Sequence, residues 1–283
     1  MIVTSNARLT ISVKAKRNNN TGAIDLTSVV LPICYRDTIA IDLFDSHFMD
    51  IVHYANQSLH ISEKPIVDVA LRKMREKYGY DETFSVKIYK NIPTGHGLGS
   101  GASSAMTVIK AVSRLKRLKL SDEEFLEVAK SIGQDVPFFA VNKPALFENT
   151  TQNITPFKFN IKTHVLLIIH PTIIEKKEMI ERFFDVGESS QKDINKVITA
   201  AETGSLRDVG NALVNDFSDI MLQEIPELKS VINELKTLNV EAYGISGASS
   251  TVFALSNNRN LLKYIGDKYR KLKYEVVLTQ ICK

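Results

Sequence analysis

The chain has 283 residues, of which 44% are hydrophobic and 24% are charged, and its formal net charge is +4. These proportions predict a globular protein that buries a sizeable core, in one large or two moderate domains. The small charge, with basic and acidic residues interspersed, gives no support for nucleic-acid binding. No apolar run reaches the roughly 18 residues of a membrane span, and the N-terminus lacks the pattern of a signal peptide. We therefore expect a cytoplasmic protein with neither a membrane nor a nucleic-acid partner.

The two cysteines, Cys34 and Cys282, lie far apart in the sequence. They form no C-x-x-C spacing, and their pattern implies neither a zinc site nor a disulfide framework. A reducing compartment is the expected setting.

The first part of the chain alternates strands and helices. Strand-like runs cover residues 2–13, 28–33 and 38–44, and the basic, Asn-rich stretch 14–22 predicts an exposed turn. Residues 65–78 place apolar side chains at helical spacing, with Pro65 suited to a helix start. Residues 84–92 then alternate apolar and polar side chains, as a half-buried strand does.

Residues 93–105, Pro-Thr-Gly-His-Gly-Leu-Gly-Ser-Gly-Ala-Ser-Ser-Ala, link that strand to a helix-like run that continues from Ala105. Glycines adopt positive φ and let the backbone approach a ligand closely. The first amides of a helix lack intrahelical partners and lie at the positive end of its dipole. The segment, called the glycine loop below, is therefore predicted to bind phosphate.

Two common phosphate motifs do not fit the glycine loop. A Walker loop ends in Gly-Lys-Ser/Thr, and no lysine precedes these serines. A dinucleotide fingerprint needs a third glycine where this chain has Ser100, and an acidic residue about twenty positions on, where this region is basic. A Gly/Ser turn that only begins a helix remains an alternative.

A capping box at Ser121 and Glu124 predicts another helix, which ends before Gly133. The segment Gln134-Asp-Val-Pro-Phe-Phe139 then sets a carboxylate, Asp135, against an apolar run. Two interpretations stay open from the residues alone: Asp135 caps the turn before Pro137, or it is a functional carboxylate.

The second half reads as helices between short strands. The predicted strands are 163–169, two runs flanking the Gly/Ser segment within 240–255, and 274–280; the predicted helices are 175–184, 193–203, 206–214, 220–235 and 260–272. This order suits an antiparallel sheet with helices on one face. The polar stretch 148–156 predicts a boundary near residue 155, between domains 1–155 and 156–283.

Several spaced motifs resemble those of the galactokinase, homoserine kinase, mevalonate kinase and phosphomevalonate kinase (GHMP) family. The pattern P-x-x-x-G-L-G-S-G-A-S-S-A resembles its second motif, and residues 244–253 resemble its third. Residues 134–139, the His170-Pro171 turn and Asn215-Asp-Phe217 match in the same order. The resemblance implies the α+β two-domain GHMP kinase fold, with an N-terminal α/β domain of the ribosomal S5 domain 2-like type and a C-terminal ferredoxin-like domain.

The resemblance further implies transfer of the γ-phosphoryl group of ATP to a small-molecule alcohol, with Mg²⁺ held by the phosphates and few protein groups, none of which the sequence identifies. Asp135 takes the place of the general base, and Arg8 the place of the lysine that accompanies it. The residues implied to bind ATP are Lys90, Pro93, Gly95, Gly97, Leu98, Gly99, Ser100, Gly101, Ala102, Ser103 and Ser104. Those implied to bind the acceptor are Asp25, Gly247, Ala248 and Ser249.

The chain departs from the family branch that it matches in most detail. That branch recognises a cytosine base through a Gly-Tyr-His-Glu segment, which here reads Gly22-Ala-Ile-Asp25. Altered acceptor recognition is therefore predicted, although Phe183 or Phe184 could supply a stacking face. The alternatives are an unaltered member of that branch, a relative that is not a kinase or has lost catalysis and binds a phosphorylated metabolite, and a nucleotide-binding module that acts through a protein partner.

Overall fold

The computed structural model describes residues 1–17, 24–44, 49–55, 66–186 and 189–282. Its contacts divide the chain into two compact units. The first unit comprises residues 1–7, 35–94 and 99–142, and the second comprises residues 8–34, 95–98 and 143–283. This division passes through two long strands, and the predicted domain boundary near residue 155 remains a prediction.

The two long strands pair with each other: β1 is Ile2–Arg17 and β2 is Ile24–Phe44. In the first unit, residues 38–44 of β2 pair antiparallel with β4 (Thr83–Tyr89), and β4 pairs parallel with β3 (Ile51–Tyr54). The helices of this unit are α1 (Ile66–Tyr78), α2 (Ser100–Leu115), α3 (Asp122–Ile132) and α4 (Val136–Val141).

Helix α1 packs against α2 through an apolar face. Val67, Ala70, Leu71 and Met74 are buried and recur at helical spacing. The capping box of α3 is confirmed, because Ser121 Oγ accepts from Glu124 N at 3.2 Å and Glu124 Oε2 accepts from Ser121 N at 2.8 Å. The apolar face thus joins α1 to α2, and the capping box fixes the start of α3.

The prediction of separate strands at 28–33 and 38–44 is wrong. Strand β2 is continuous over 21 residues, because the polar stretch between the two runs keeps its extended backbone. The predicted turn at 14–22 is corrected as well: residues 14–17 extend β1, and residues 18–22 lie outside the described residues.

The second unit contains a four-stranded antiparallel sheet in the order β10-β7-β9-β8. Its strands are β7 (His164–Ile169), β8 (Ala242–Ile245), β9 (Thr251–Ser256) and β10 (Glu275–Gln280). Its helices are α5 (Lys176–Val186), α6 (Asn195–Thr203), α7 (Leu206–Ala212), α8 (Ser218–Glu224), α9 (Glu227–Thr237) and α10 (Arg259–Lys271). Buried side chains of β7, β9, α5, α8, α9 and α10 form one apolar core.

Two predictions for the second half are corrected. The polar stretch 148–156, predicted to link the domains, forms most of a hairpin in which β6 (Asn153–Pro156) pairs with β5 (Ala145–Glu148). The helix predicted over 220–235 is two helices, because Pro226 lacks the amide proton that a continuous helix requires.

The cysteine pattern implied no disulfide, and this expectation is also wrong. Cys34 and Cys282 form a disulfide, with their Cα atoms 5.2 Å apart, a separation typical of such bonds. The backbone brings them together: Ile33 pairs with Ile281, and Cys282 N donates to Pro32 O at 2.9 Å. Because this pairing is a long-range contact, the spacing of the cysteines could not reveal it.

Among the described residues, no helix is both long enough and apolar enough to cross a bilayer.

Candidate active site

The glycine loop has the backbone that its composition predicts. Gly95, Gly97 and Gly99 have φ values of 81°, 75° and 72°, in the left-handed region that favours glycine. Gly99 is the N-cap of α2, and Ser103 N donates to Gly99 O at 2.9 Å. The amides that follow Gly99 therefore form the first turn of a 16-residue helix, where donors without intrahelical partners are available to an anion.

Residues 95–98 of the loop belong to the second unit, where they pack against the Gly/Ser turn at 246–250. A Cβ on Gly97 would lie 2.7 Å from Ser249 Cβ, and one on Gly95 would lie 2.7 Å from Ile173 Cγ2. These positions therefore need glycine for space as well as for φ. Thr251 Oγ1 donates to His96 O at 2.9 Å, which fixes the same stretch of backbone.

In the first unit, a buried carboxylate supports both ends of the loop. Asp37 Oδ1 accepts from Asn91 N at 2.7 Å and from Ile92 N at 2.8 Å, just before the loop. Asp37 Oδ2 pairs with the ammonium of Lys90, and both side chains are almost fully buried. Burial lowers the pKa of Lys90, and the Asp37 charge opposes that shift.

Asp37 was not among the predicted site residues. The available signal was a pair of opposite charges, one within β2 and one just after β4: because Thr38 pairs with Tyr89, residues 37 and 90 lie opposite each other. That signal requires the register of β2 and β4, which sequence periodicity does not supply.

The serines of the loop are buried and engaged within the first unit. Ser100 Oγ donates to Ile92 O at 3.2 Å, and Ser103 Oγ donates to Asn6 O at 2.6 Å. Lys90 Nζ lies 3.4 Å from Ser104 Oγ. These hydroxyls hold the first turn of α2 in place, and the predicted contacts of Lys90, Ser103 and Ser104 with ATP remain predictions.

Asp135 is the N-cap residue of α4 and is half-buried, but its carboxylate makes no capping hydrogen bond. Pro137 stands in the first turn of this helix. The structure therefore does not show the capping role that was the alternative to a functional one. In the second unit, Arg8 is 7% exposed, and its amide donates to Leu98 O at 2.9 Å.

The turn at 246–250 is held by one of its own side chains and by the side chain of Asn215. Ser249 Oγ donates to Ser246 O at 2.7 Å, and Asn215 Nδ2 donates to Ile245 O and Gly247 O at 2.9 Å each. Gly247 has a φ of 58°. The predicted acceptor residues Gly247 and Ser249 thus lie together in this turn.

Hydrogen bonding assigns the proton of His96. Ser250 Oγ lies 2.6 Å from Thr172 O, so its hydroxyl proton points to that carbonyl. His96 Nδ1, 3.0 Å from Ser250 Oγ, must then be the donor in their contact. Burial, together with the charge of His170, lowers the pKa of His96. His96 is therefore a neutral donor inside the glycine loop, a role that its sequence position did not reveal.

The remaining predicted residues occupy varied places. Leu98 and Ala102 are buried, and Pro93, Gly101, Ala248 and Asp25 are half-buried. Phe183 lies in the apolar core, so of the two phenylalanines only the half-buried Phe184 offers a stacking face. Gly22 and Ala23 lie outside the described residues.

Residues 65–143 match the model described as "GHMP kinases N terminal domain". This segment contains the glycine loop and Asp135.

Curated relatives match over nearly the whole chain. The 4-diphosphocytidyl-2-C-methyl-D-erythritol kinase of Caldicellulosiruptor saccharolyticus is 25% identical over 275 residues, which cover 97% of this chain and 93% of the relative. The kinase of the same name from Thermodesulfovibrio yellowstonii is 29% identical, over 88% of this chain and 86% of the relative.

Solved structures show the same fold. A crystal structure of 4-(cytidine 5'-diphospho)-2C-methyl-D-erythritol kinase matches with a TM-score of 0.81 and 18% identity, over all of both chains. A mevalonate kinase matches with a TM-score of 0.76 and 16% identity, over 99% of each chain. The chain carries a GHMP kinase N-terminal domain within the two-domain α+β GHMP fold, and the predicted family resemblance and kinase class are both confirmed.

Proposed function

We propose that the chain transfers the γ-phosphoryl group of ATP to a hydroxyl group of a small metabolite, with an acceptor recognition that differs from that of its curated relatives. The observation that carries the proposal is the glycine loop, which leads through three left-handed glycines into the first turn of α2. Phosphoryl transfer asks a protein chiefly to position groups and to stabilise charge, and a helix N-terminus does both for a phosphate.

The binding of ATP would use backbone donors more than side chains. The first-turn amides after Gly99 are the donors, because the serine hydroxyls are already hydrogen-bonded within the first unit. Asp37, paired with Lys90, would hold the backbone that leads into the loop. This division of labour explains how a loop without a Walker lysine can bind a triphosphate.

The proton transfer would fall to Asp135. A carboxylate that is half-buried and not used as a helix cap can accept a hydroxyl proton as the oxygen attacks. Arg8 would supply a permanent positive charge where the relatives carry lysine, and its planar guanidinium can bind a phosphate in a bidentate manner. Arginine therefore keeps the charge of the family position and changes its geometry.

Magnesium would accompany ATP and neutralise charge on its phosphates. Among the described residues, no group of three or more His, Cys, Asp or Glu side chains lies together as a metal site. Oxygen atoms of the phosphates would therefore supply most of the ligands.

Two observations bear on the acceptor. The curated relatives that span almost the whole chain are named for a cytidyl methylerythritol substrate of isoprenoid biosynthesis, which favours that acceptor. Against it, the segment that should recognise cytosine reads Gly22-Ala-Ile-Asp25, and Phe183 is buried in the core. A site without the ring and the imidazole has little hold on a base, so we favour a different polar alcohol.

The test is an ADP-release assay at fixed Mg-ATP with a panel of small alcohols that includes the cytidyl methylerythritol compound. The proposal expects turnover with a panel member other than that compound, and no competition by CMP or CDP. Efficient turnover of the cytidyl compound would contradict the altered acceptor but not the kinase. ATP binding without ADP release from any acceptor would favour a metabolite-binding relative.

A further inference from the structure

A cavity lies within the first unit, along α2 from Ser103 to Arg114. Its volume is about 340 Å³, and it is lined by residues of β1, α2 and the end of α4. Four of its lining residues, Thr4, Thr107, Lys110 and Arg114, have side chains that can donate hydrogen bonds to a ligand. We call it the α2 cavity.

The charge of the α2 cavity is positive. Lys110 and Arg114 are four residues apart on α2, so they project from the same face of the helix. None of the residues that line the cavity is an aspartate or a glutamate. Burial is the main cause of the lowered pKa of Lys110, to which Arg114 adds and which Asp122 opposes. Two cations at one cavity without a lining carboxylate favour an anionic ligand.

The ammonium of Lys110 is held in place by the protein. It donates to Phe139 O at 3.2 Å and to Ala140 O at 3.1 Å, at the C-terminal end of α4. An ammonium has three donors, so these two bonds orient the group and leave a third donor. A positioned cation binds an anion with less loss of side-chain freedom than a mobile one.

Arg114 complements that fixed donor. Its side chain is exposed and forms no hydrogen bond or ion pair with any described residue. A guanidinium binds two oxygens of a phosphate in a bidentate manner. Thr4 and Thr107 add hydroxyl groups to the lining. A tetrahedral oxyanion can use all three kinds of donor together, whereas a planar carboxylate has only two oxygens.

We propose that the α2 cavity is a binding site for a small phosphate monoester, held by Lys110 and Arg114. Its two cationic residues are not among the residues predicted to bind ATP. The proposal does not depend on the chain being a kinase. It shares helix α2 with the glycine loop, because Ser103 lines the cavity and also lies in the first turn of the helix.

The experiment titrates glycerol 3-phosphate into the full chain by calorimetry, with inorganic phosphate as a second probe and glycerol as a neutral control. We expect Arg114→Gln to weaken binding of glycerol 3-phosphate at least about tenfold, since a charge-assisted contact is lost. Lys110→Met should do the same. Lys119→Met removes an equal charge from an exposed position outside the cavity and should leave binding unchanged.

Arg114→Gln breaks no hydrogen bond of the described structure, so the test stands even if Lys110→Met fails to fold. Gly99→Val distinguishes the two candidate phosphate sites, because Gly99 lies in the glycine loop and does not line the α2 cavity, whose cations Lys110 and Arg114 lie two or more turns further along the helix. Binding of glycerol 3-phosphate that is lost in Gly99→Val and retained in Arg114→Gln would place the ligand at the loop and overturn the proposal. The absence of binding to the unaltered protein, or equal weakening in Lys119→Met, would overturn it as well.

Discussion

Two Gly/Ser segments of this chain have similar compositions and different structures. The segment 97–104 leads into a long helix, and its serines bond to backbone or to a buried ion pair around it. The segment 244–251 turns between two antiparallel strands, and Ser249 bonds back to its own turn. The first segment thus ends on helix amides that an anion can use, whereas serine and threonine hydroxyls of the second bond to backbone of their own turn and of neighbouring segments.

The difference shows what composition alone leaves open. Glycine and serine make both segments compact, but the element that follows differs: a helix presents unpaired amides at its start, whereas the second segment is followed by a strand whose amides pair with neighbouring strands. The two segments also differ in support, because a buried charge pair holds the first and neutral hydrogen bonds hold the second. The effects expected at the buried charge pair and at Gly99 test these two differences.

The largest effect is expected at Asp135, outside both segments. Asp135→Asn keeps the size of the side chain and cannot accept the proton, so kcat should fall by about 10²–10⁴. The affinity for ATP should not change, because the proposed nucleotide contacts of the loop do not include this carboxylate. Steady-state kinetics and calorimetry on the same preparation measure both quantities. Undiminished kcat in the folded variant would remove Asp135 from the reaction.

The next effect concerns the charge pair beneath the first segment. Asp37→Asn removes the carboxylate that faces the buried ammonium of Lys90, and breaking such a pair costs about 3–5 kcal/mol. Urea unfolding measures the loss. Glu82→Gln removes the more exposed partner of Lys116 and serves as the matched control, for which little change is expected. Adding Lys90→Met to Asp37→Asn should restore part of the stability; no recovery would contradict the charge as the cause.

The third effect is a loss of ATP affinity when a left-handed glycine of the loop is replaced, compared with a left-handed glycine elsewhere. Gly99 has a φ of 72°, where a β-branched residue is strained by about 1–3 kcal/mol. Gly99→Val should therefore misplace the first-turn amides and raise the Kd for ATP by about 10- to 100-fold. Gly204 is a matched control: it has a φ of 94°, and a Cβ there would touch nothing. Gly204→Val should lower stability and leave ATP affinity intact; a similar loss of affinity in both variants would count against the loop.

Local patterns predicted much of the fold. The capping box at Ser121, the helix after the glycine loop and the strands 164–169 and 251–256 depend on neighbouring residues, and the structure has them. The prediction failed where the decisive contact is distant. The polar residues at 148–156 read as a link because their partner strand was not identified, and the cysteine pair joins residues 248 positions apart.

The candidate site divides in the same way. The glycine loop and Asp135 were predicted because motif and position lie within one short stretch. Asp37 and the donor role of His96 were missed, since each depends on a partner 53 or more residues away. Supporting residues of a loop are generally of this kind, because they reach it from other elements of the fold.

The smallest effect is a pH dependence at His96. Because burial and His170 lower the pKa of His96 below its ordinary 6.5, the unfolded chain takes up a proton before the folded chain does. The stabilising contribution is therefore complete above about pH 6.5 and is lost as the pH falls toward the lowered value. His96→Asn replaces the ring donor by an amide donor that does not titrate, so it should flatten the fall in thermal midpoint between about pH 7.5 and 5.5.

His170, whose pKa is also lowered by burial, should retain part of the slope. An unchanged slope in His96→Asn would show that the buried imidazole contributes nothing to acid sensitivity. A steeper slope would mean that the pKa of His96 is raised in the folded protein, which would contradict the lowered value.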